Sequence, residues 1–167
     1  INVLLLGYGG PNHDGPYLTD TIIVANFRTQ TQEVVLTSIP RDFVVELPGL
    51  GFRKINAAYA FFQDEDNPNA AGTAAREAAE KITGLDIPYY AAIDFDGFVK
   101  AIDQVGGVTV TIDNTFTDPS YPDYEHGYLE PVTFTAGEEH MDGERALIFA
   151  RSRKGTNGEG SDFARSE

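Results

Sequence analysis

The sequence predicts an α/β domain in which helices cover a mixed β-sheet. Short apolar runs rich in β-branched residues alternate along the chain with longer segments of helical pattern, and alternation at this spacing is typical of α/β domains. The length of 167 residues and the hydrophobic fraction of 41% suit one domain with a substantial buried core. We therefore expect residues 1–167 to form a single domain.

The first part of the chain predicts a sheet and two helices. The polar segment 28–32 separates two β-branched runs and indicates a hairpin. The second helix is rich in Ala, and Gly84 is placed to end it in a left-handed conformation. The predicted strands are Val3–Leu6, Thr21–Phe27, Glu33–Ile39 and Phe43–Leu47, and the predicted helices are Lys54–Phe62 and Ala70–Thr83.

The second part predicts further strands and helices around one long loop. We expect Asp96 to cap a helix that ends at Gly106-Gly107. Thr115–Thr135 contains three Pro and three Tyr and is predicted to be a surface loop. The predicted strands are Tyr89–Phe95 and Val108–Ile112, and the predicted helices are Asp96–Val105 and Asp142–Ala150.

Composition excludes several classes of function. The formal net charge of −14 disfavours binding of DNA, RNA or an anionic membrane surface through the overall field. The absence of cysteine excludes disulfides, thiolate metal sites and a cysteine nucleophile. Serine-hydrolase and zinc-protease motifs are also missing. We interpret His13, His126 and His140 as ordinary polar residues, because they are far apart in the sequence.

The cations are unevenly distributed. Ala101–Glu144 contains ten acidic residues and no Lys or Arg, whereas five cations fall between Arg145 and Arg165. This local reversal of charge indicates an anion-binding site. Arg151 and Arg153 would point the same way in an extended chain and form a clamp for phosphate, although the solvated last turn of a helix is the alternative.

Two further segments could carry chemistry. Asp14 and Asp20 lie six residues apart where a loop meets a strand, and their carboxylates suit Mg²⁺, with turn and strand-capping roles as the alternative. Arg41 and Asp42 follow a predicted strand, where α/β domains collect their sites, although a surface ion pair is equally simple. The turn at 7–11 lacks the lysine of a nucleotide loop and predicts a tight turn with positive φ.

Taken together, these segments resemble the LytR–CpsA–Psr family of bacterial cell-envelope phosphotransferases. The match follows the family's order over nearly the whole chain. The matching segments are Thr19–Ile22, Ser38–Asp42, Lys54–Tyr59, Asp94–Phe98, Gly106–Val108, Met141–Leu147, Ala150–Arg153 and Asp162–Arg165.

The resemblance implies a three-layer α/β/α sandwich with a central mixed sheet and an apolar lipid-binding tunnel. It implies an extracytoplasmic domain of the cell envelope, trimmed here at both ends and anchored by an N-terminal membrane helix that is not present in this chain. Such proteins transfer a glycopolymer with its phosphate from a polyprenyl-pyrophosphate carrier to peptidoglycan or another wall glycan. The apolar positions of Ala57–Phe62 and Phe98–Val105 are candidates for the tunnel, with core packing as the alternative.

The matching motifs also imply roles for individual residues. Arg41, Arg151 and Arg153 would hold the pyrophosphate, and Asp20 would act in catalysis beside Mg²⁺. Asp14 is a second candidate ligand for the metal. The further candidates for substrate binding are Lys54, Asn56, Asp42 and Arg165.

The sequence departs from the family pattern at two positions. Gly9 stands where the family has an aspartate after the first strand, and Leu18 stands where it often has an arginine. These departures keep two other functions open. One is a non-catalytic domain that binds polyprenyl phosphates or wall polymers, and the other is a polyprenyl-pyrophosphate pyrophosphatase that uses water as the acceptor.

Overall fold

The computed structural model of the chain describes residues 1–11, 13–122, 127–152 and 154–155. The chain divides into two compact units, Ile1–Asp96 and Gly97–Glu167. The elements of the first unit are β1 (Asn2–Tyr8), β2 (Thr19–Arg28), β3 (Glu33–Ser38), β4 (Val44–Leu47), β5 (Gly51–Lys54), α1 (Ala57–Phe61), α2 (Ala70–Thr83) and β6 (Tyr89–Ile93).

A mixed sheet forms the centre of the first unit. Its strand order is β3-β2-β1-β6, with β1 antiparallel to β2 and parallel to β6. The predicted α/β class with a mixed sheet is therefore confirmed. The predicted hairpin is confirmed as well, since β2 and β3 pair antiparallel from Ile23↔Ser38 to Arg28↔Glu33.

The core of the first unit lies between this sheet and the alanine-rich helix. Leu4, Leu6 and Val24 are at most 2% exposed, because alternate residues of β1 and β2 face the same side of the sheet. Ala75 and Ala79 of α2 belong to the same apolar cluster. Small side chains on α2 allow the helix to approach the strands closely.

Glycine ends α2 as the sequence predicts. Gly84 has a φ of 69°, and its N–H donates to the carbonyl of Glu80 over 2.8 Å. Two other predictions in this unit are wrong. Lys54 ends β5, which pairs with β4, instead of beginning a helix, because the turn after Leu47 reverses the chain. Asp96 lies inside the first helical turn, because the following helix already begins at Phe95.

The second unit holds most of that helix and two pairs of strands. Its elements are α3 (Phe95–Gln104), which begins two residues before the boundary, β7 (Val108–Ile112), β8 (Phe116–Asp118), β9 (Val132–Phe134), β10 (Gly137–Met141) and α4 (Gly143–Arg151). β7 pairs antiparallel with β10, and β8 pairs antiparallel with β9. In the described part of the chain, none of the helices is long and apolar enough to cross a membrane.

The predicted loop at Thr115–Thr135 is wrong over its ends, which form β8 and β9. Phe116 and Phe134 are buried and stack with ring centroids 5.1 Å apart. These two rings are part of the apolar cluster of the unit, so burial overrides the turn-forming prolines between them. The prediction that Gly106-Gly107 ends α3 is confirmed, since both have positive φ, 85° and 91°.

The apolar segments suggested for a lipid tunnel take part in core packing. Ala57 and Ala58 are buried, whereas Phe61 is 59% exposed. Phe98 and Ile102 of α3 pack against the apolar cluster of the second unit. The tunnel itself stays a prediction.

Candidate functional site

Main-chain hydrogen bonds fix the surroundings of Arg41 and Asp20 in the first unit. Arg41 lies three residues after the end of β3, and its carbonyl accepts a hydrogen bond from the N–H of Asn56 over 3.2 Å. The carbonyl of Asn56 accepts from the N–H of Thr19, also over 3.2 Å. Asn56 thus joins the start of β2 to the loop after β3. The sequence predicts that Asn56 binds substrate, and these two contacts are made by its main-chain N–H and carbonyl.

Four charged side chains form an alternating row in this place. The Arg41 guanidinium pairs with Asp20 through Nη1 and lies 3.8 Å from Asp42 Oδ2 through Nε. Lys54 Nζ lies 2.5 Å from Asp42 Oδ1. The structure therefore brings together four residues that the sequence singled out, from three different motifs. We call Asp20, Arg41, Asp42 and Lys54 the charged row.

The charged row is open to solvent. The side chains of Arg41 and Asp20 are 35% and 46% exposed, and those of Lys54 and Asp42 are 61% and 58% exposed. Exposed ion pairs of this kind contribute little to stability, because water and salt screen them. The Arg41 guanidinium can therefore exchange a carboxylate for a phosphate at low cost, and phosphate matches its planar donors equally well.

The contact between Lys54 and Asp42 gives a direct test of this arrangement. The hydrogen bond from Lys54 is the main cause that lowers the pKa of Asp42 below its ordinary value of 3.8. We expect Lys54→Met to raise the pKa of Asp42, because the methionine removes both the donor and the positive charge. Carboxyl carbon shifts followed by NMR between about pH 2 and 6 measure the pKa.

Lys100→Met, which removes a cation from α3, serves as the control and should leave the pKa of Asp42 unchanged. The sign of the pH dependence follows from the lowered value. Asp42 contributes stability above its unfolded pKa, and this contribution disappears as the pH falls through the folded value. An unchanged pKa in Lys54→Met would contradict the contact.

The two predicted metal ligands differ in their surroundings. Asp14 is exposed in the loop before β2, and Asp20 uses Oδ1 to pair with Arg41. Among the described residues, no group of three or more His, Cys, Asp or Glu side chains is placed to hold a metal ion. Mg²⁺ does not need such a group, because it is commonly held by one or two carboxylates together with phosphate oxygens and water.

Gly9 occupies a position with no room for a side chain. A Cβ placed there would lie 2.7 Å from the Cβ of His13, and the His13 ring packs edge-on against Phe95 with centroids 5.1 Å apart. The carboxylate expected in the family after the first strand therefore cannot be added without moving His13. Gly10 has a φ of 89°, which confirms the predicted tight turn.

An aromatic cluster lies at the same end of β1. Tyr8 is paired with Thr19 across the strands, and its ring lies 5.2 Å from that of Tyr59 and 6.1 Å from that of Tyr17. Burial is the main cause that raises the pKa of Tyr8 to about 12. Tyr8 therefore stays a neutral hydroxyl throughout the physiological range.

The second unit holds the other predicted phosphate ligands. Arg151 is the last residue of α4, and its Nη1 donates to the hydroxyl of Tyr121 over 3.1 Å. The guanidinium carbon lies 5.4 Å from the centre of the Tyr121 ring. Arg153 and Arg165 lie outside the described residues.

Sequence reasoning missed a buried carboxylate in this unit. Asp118 at the end of β8 is 2% exposed and Ser152, next to Arg151, is 5% exposed. The Ser152 hydroxyl donates to Asp118 Oδ2 over 2.7 Å. In the sequence Asp118 stands among many acids before a proline, so only the alternation with Phe116 could have indicated an inward-facing side chain.

Comparison with known proteins supplies a family and a fold. A family model described as LytR_cpsA_psr matches residues 1–167. The polyisoprenyl-teichoic acid–peptidoglycan teichoic acid transferase TagU of Oceanobacillus iheyensis is 34% identical over 157 residues, which are 92% of this chain and 44% of TagU. The crystal structure of B. subtilis TagV is 31% identical with a TM-score of 0.71, over 96% of this chain and 59% of that chain.

A third relative supports the fold alone. The family protein YwtF (TagT), solved with bound octaprenyl pyrophosphate lipid, has a TM-score of 0.67 at 23% identity, over 92% of this chain and 57% of that chain. These likenesses agree with the α/β architecture around a mixed sheet. The chain spans less than half the length of TagU.

Proposed function

The chain belongs to the LytR–CpsA–Psr family, and on this premise we propose that it transfers a glycopolymer with its phosphate from a polyprenyl-pyrophosphate carrier to peptidoglycan or another glycan of the cell wall. The protein would act in the cell envelope as an extracellular, membrane-anchored enzyme. The observation that carries the proposal is the charged row, in which a solvent-accessible arginine already contacts two carboxylates that phosphate oxygens can replace.

The reaction would need mainly positioning and charge neutralisation. A hydroxyl oxygen of the acceptor attacks the phosphorus on the sugar side, and the bond from that phosphorus to the bridging oxygen breaks. The polyprenyl monophosphate leaves, and the new phosphodiester joins glycopolymer to wall. Arg41 stabilises charge on the phosphate oxygens, with Lys54 beside it. Arg151, with Arg153 and Arg165, stays a predicted pyrophosphate ligand through the family motifs.

Mg²⁺ is part of the proposal through the chemistry of Asp20. The Asp20 side chain is 46% exposed and pairs with Arg41 through Oδ1, and an accessible carboxylate fits an ion held by one carboxylate, phosphate oxygens and water. Asp14 is the candidate second ligand. When bound, the ion would neutralise charge on the phosphates. Asp20 or Asp14 would accept the proton of the attacking hydroxyl.

The proposal is tested by following both halves of the substrate. The intact protein is incubated with a polyprenyl-pyrophosphate-linked glycopolymer labelled in the sugar, a wall-glycan acceptor and Mg²⁺. We expect label to enter the acceptor as an alkali-stable phosphodiester while an equal amount of polyprenyl monophosphate is released. Release of lipid phosphate without an acceptor would indicate the pyrophosphatase instead.

A non-catalytic binding domain is the second candidate, and Gly9 favours it. The position has no carboxylate and no room for one beside His13, which leaves fewer groups for a metal or for proton transfer. This candidate predicts that the protein binds the lipid pyrophosphate equally well after chelation of divalent ions and forms no product.

A further inference from the structure

We infer that Asp118 is a positioning residue that, together with Tyr121, holds Arg151 in place to bind a phosphate of the carrier. This inference rests on the proposed function and adds to it two residues of the second unit that the family motifs leave unassigned. It begins from the most deeply buried carboxylate among the described residues of this unit. Asp118 is 2% exposed.

The buried carboxylate fixes the chain that follows α4. Asp118 Oδ2 accepts the hydroxyl of Ser152 over 2.7 Å and the N–H of Lys154 over 3.4 Å. Its other oxygen accepts the N–H of Ser120 over 3.0 Å. Two of these donors belong to the segment that contains Arg151, so the carboxylate ties the end of the helix to β8.

Tyr121 holds the guanidinium itself. It lies three residues after Asp118, is 5% exposed, and accepts from Arg151 Nη1 over 3.1 Å while its ring faces the same guanidinium at 5.4 Å. Asp118 therefore sets the main chain on one side of Arg151, and Tyr121 sets its side chain. Fixing a long side chain in advance reduces the entropy that it loses when it binds a ligand.

The contacts of the Arg151 guanidinium differ from those of Arg145, another arginine on α4. Arg145 pairs with Glu139 over 2.6 Å, donates to the carbonyl of Thr133 over 2.7 Å and lies over the Phe134 ring. A carboxylate thus neutralises Arg145 directly. For Arg151, the carboxylate of Asp118 accepts from Ser152 and Lys154 in the segment after the helix, and the neutral hydroxyl of Tyr121 receives Nη1 of the guanidinium.

Buried charge of this kind is a poor source of stability by itself. Taking a carboxylate out of water is costly, and hydrogen bonds recover that cost only in part. The stability of the fold therefore does not explain why a carboxylate is buried at Asp118. A role in holding Arg151 in place does explain it. The same reasoning predicts that removal of the Tyr121 hydroxyl alone weakens phosphate binding.

The experiment measures binding of geranylgeranyl pyrophosphate and geranylgeranyl monophosphate to the purified protein by titration calorimetry in detergent. We expect Arg151→Ala to weaken pyrophosphate binding at least tenfold. We expect Asp118→Asn and Tyr121→Phe to weaken it about three- to tenfold, which is the range for the net loss of one ordinary hydrogen bond. Asp113→Asn and Tyr89→Phe make the same chemical changes at exposed positions and should bind as the original protein does.

A double-mutant cycle separates positioning from general damage. If Asp118 acts through Arg151, Asp118→Asn has no further effect on affinity in the Arg151→Ala background. Equal losses in both backgrounds, or no loss in Asp118→Asn and Tyr121→Phe while Arg151→Ala binds weakly, would overturn the inference. If Asp118→Asn does not fold, Ser152→Ala replaces it, and Ser152→Thr should restore binding because it keeps the hydroxyl. Unchanged binding in Arg151→Ala would instead refute Arg151 as a ligand of the pyrophosphate, and the inference with it.

Discussion

Replacement of Arg41 by Ala is expected to lower glycopolymer transfer by a factor of about 100 or more, the usual effect of removing one preorganised donor from a developing oxyanion. The guanidinium is the centre of the charged row and contacts Asp20 and Asp42. Its loss leaves two carboxylates of the charged row with Lys54 as the remaining cation of that row, so the row would repel the pyrophosphate. Both kcat and kcat/KM should therefore fall.

The controls for Arg41 distinguish charge from geometry. Arg41→Lys keeps the charge but loses the planar donors, so we expect it to recover only part of the transfer rate. Arg53→Ala removes a cation whose guanidinium donates to the carbonyl of Phe52 in the exposed strand β5, and it should leave the rate unchanged. Transfer is measured as label entering the wall acceptor. Full activity in a folded Arg41→Ala protein would exclude the charged row as the site.

The fold could be predicted where local pattern and burial agree. The strands β1 and β2 follow from apolar runs that include β-branched residues, and α2 follows from its alanine-rich pattern and from Gly84 at its end. The strands β8 and β9 could not be predicted, because Phe116 and Phe134, which are 18 positions apart in the sequence, are buried by contact with each other. Prolines between them carry the stronger local signal and indicate a loop.

The residues of the candidate site could likewise be predicted from the sequence only in part. Arg41 and Asp20 were singled out because each stands in a motif at a strand end, and the structure adds the ion pair that joins them. The carbonyl of Asn56 that bonds to Thr19 has no signature in the side chains, because main-chain hydrogen bonds are available to any residue. Asp118 was missed for a different reason. Its burial depends on tertiary packing, which composition does not report.

Replacement of Asp20 by Asn is expected to lower kcat about 100-fold, while the affinity for the lipid pyrophosphate stays the same or rises. An amide is a poor ligand for Mg²⁺ and a poor proton acceptor, which lowers the rate of the chemical step. The change also removes the ion pair between Arg41 and Asp20, so that one carboxylate fewer competes with the phosphate for the guanidinium. A lower kcat together with an unchanged or higher affinity is the result expected for a carboxylate that both binds the metal and pairs with Arg41.

Titration with Mg²⁺ then decides between an enzyme and a binding domain. Transfer by the original protein should rise with Mg²⁺ and saturate, whereas Asp20→Asn should need far more Mg²⁺ for the same fractional activation. Asp86→Asn, an exposed acid whose side chain is outside the charged row, is the matched control and should follow the original curve. If Asp14 is the second ligand, Asp14→Asn shifts the curve in the same direction by a smaller amount.

One result of this titration would refute the transferase. The protein would bind the lipid pyrophosphate equally with and without Mg²⁺ and would never form product. In that case only the arginines would be left to neutralise the charge of the leaving lipid phosphate.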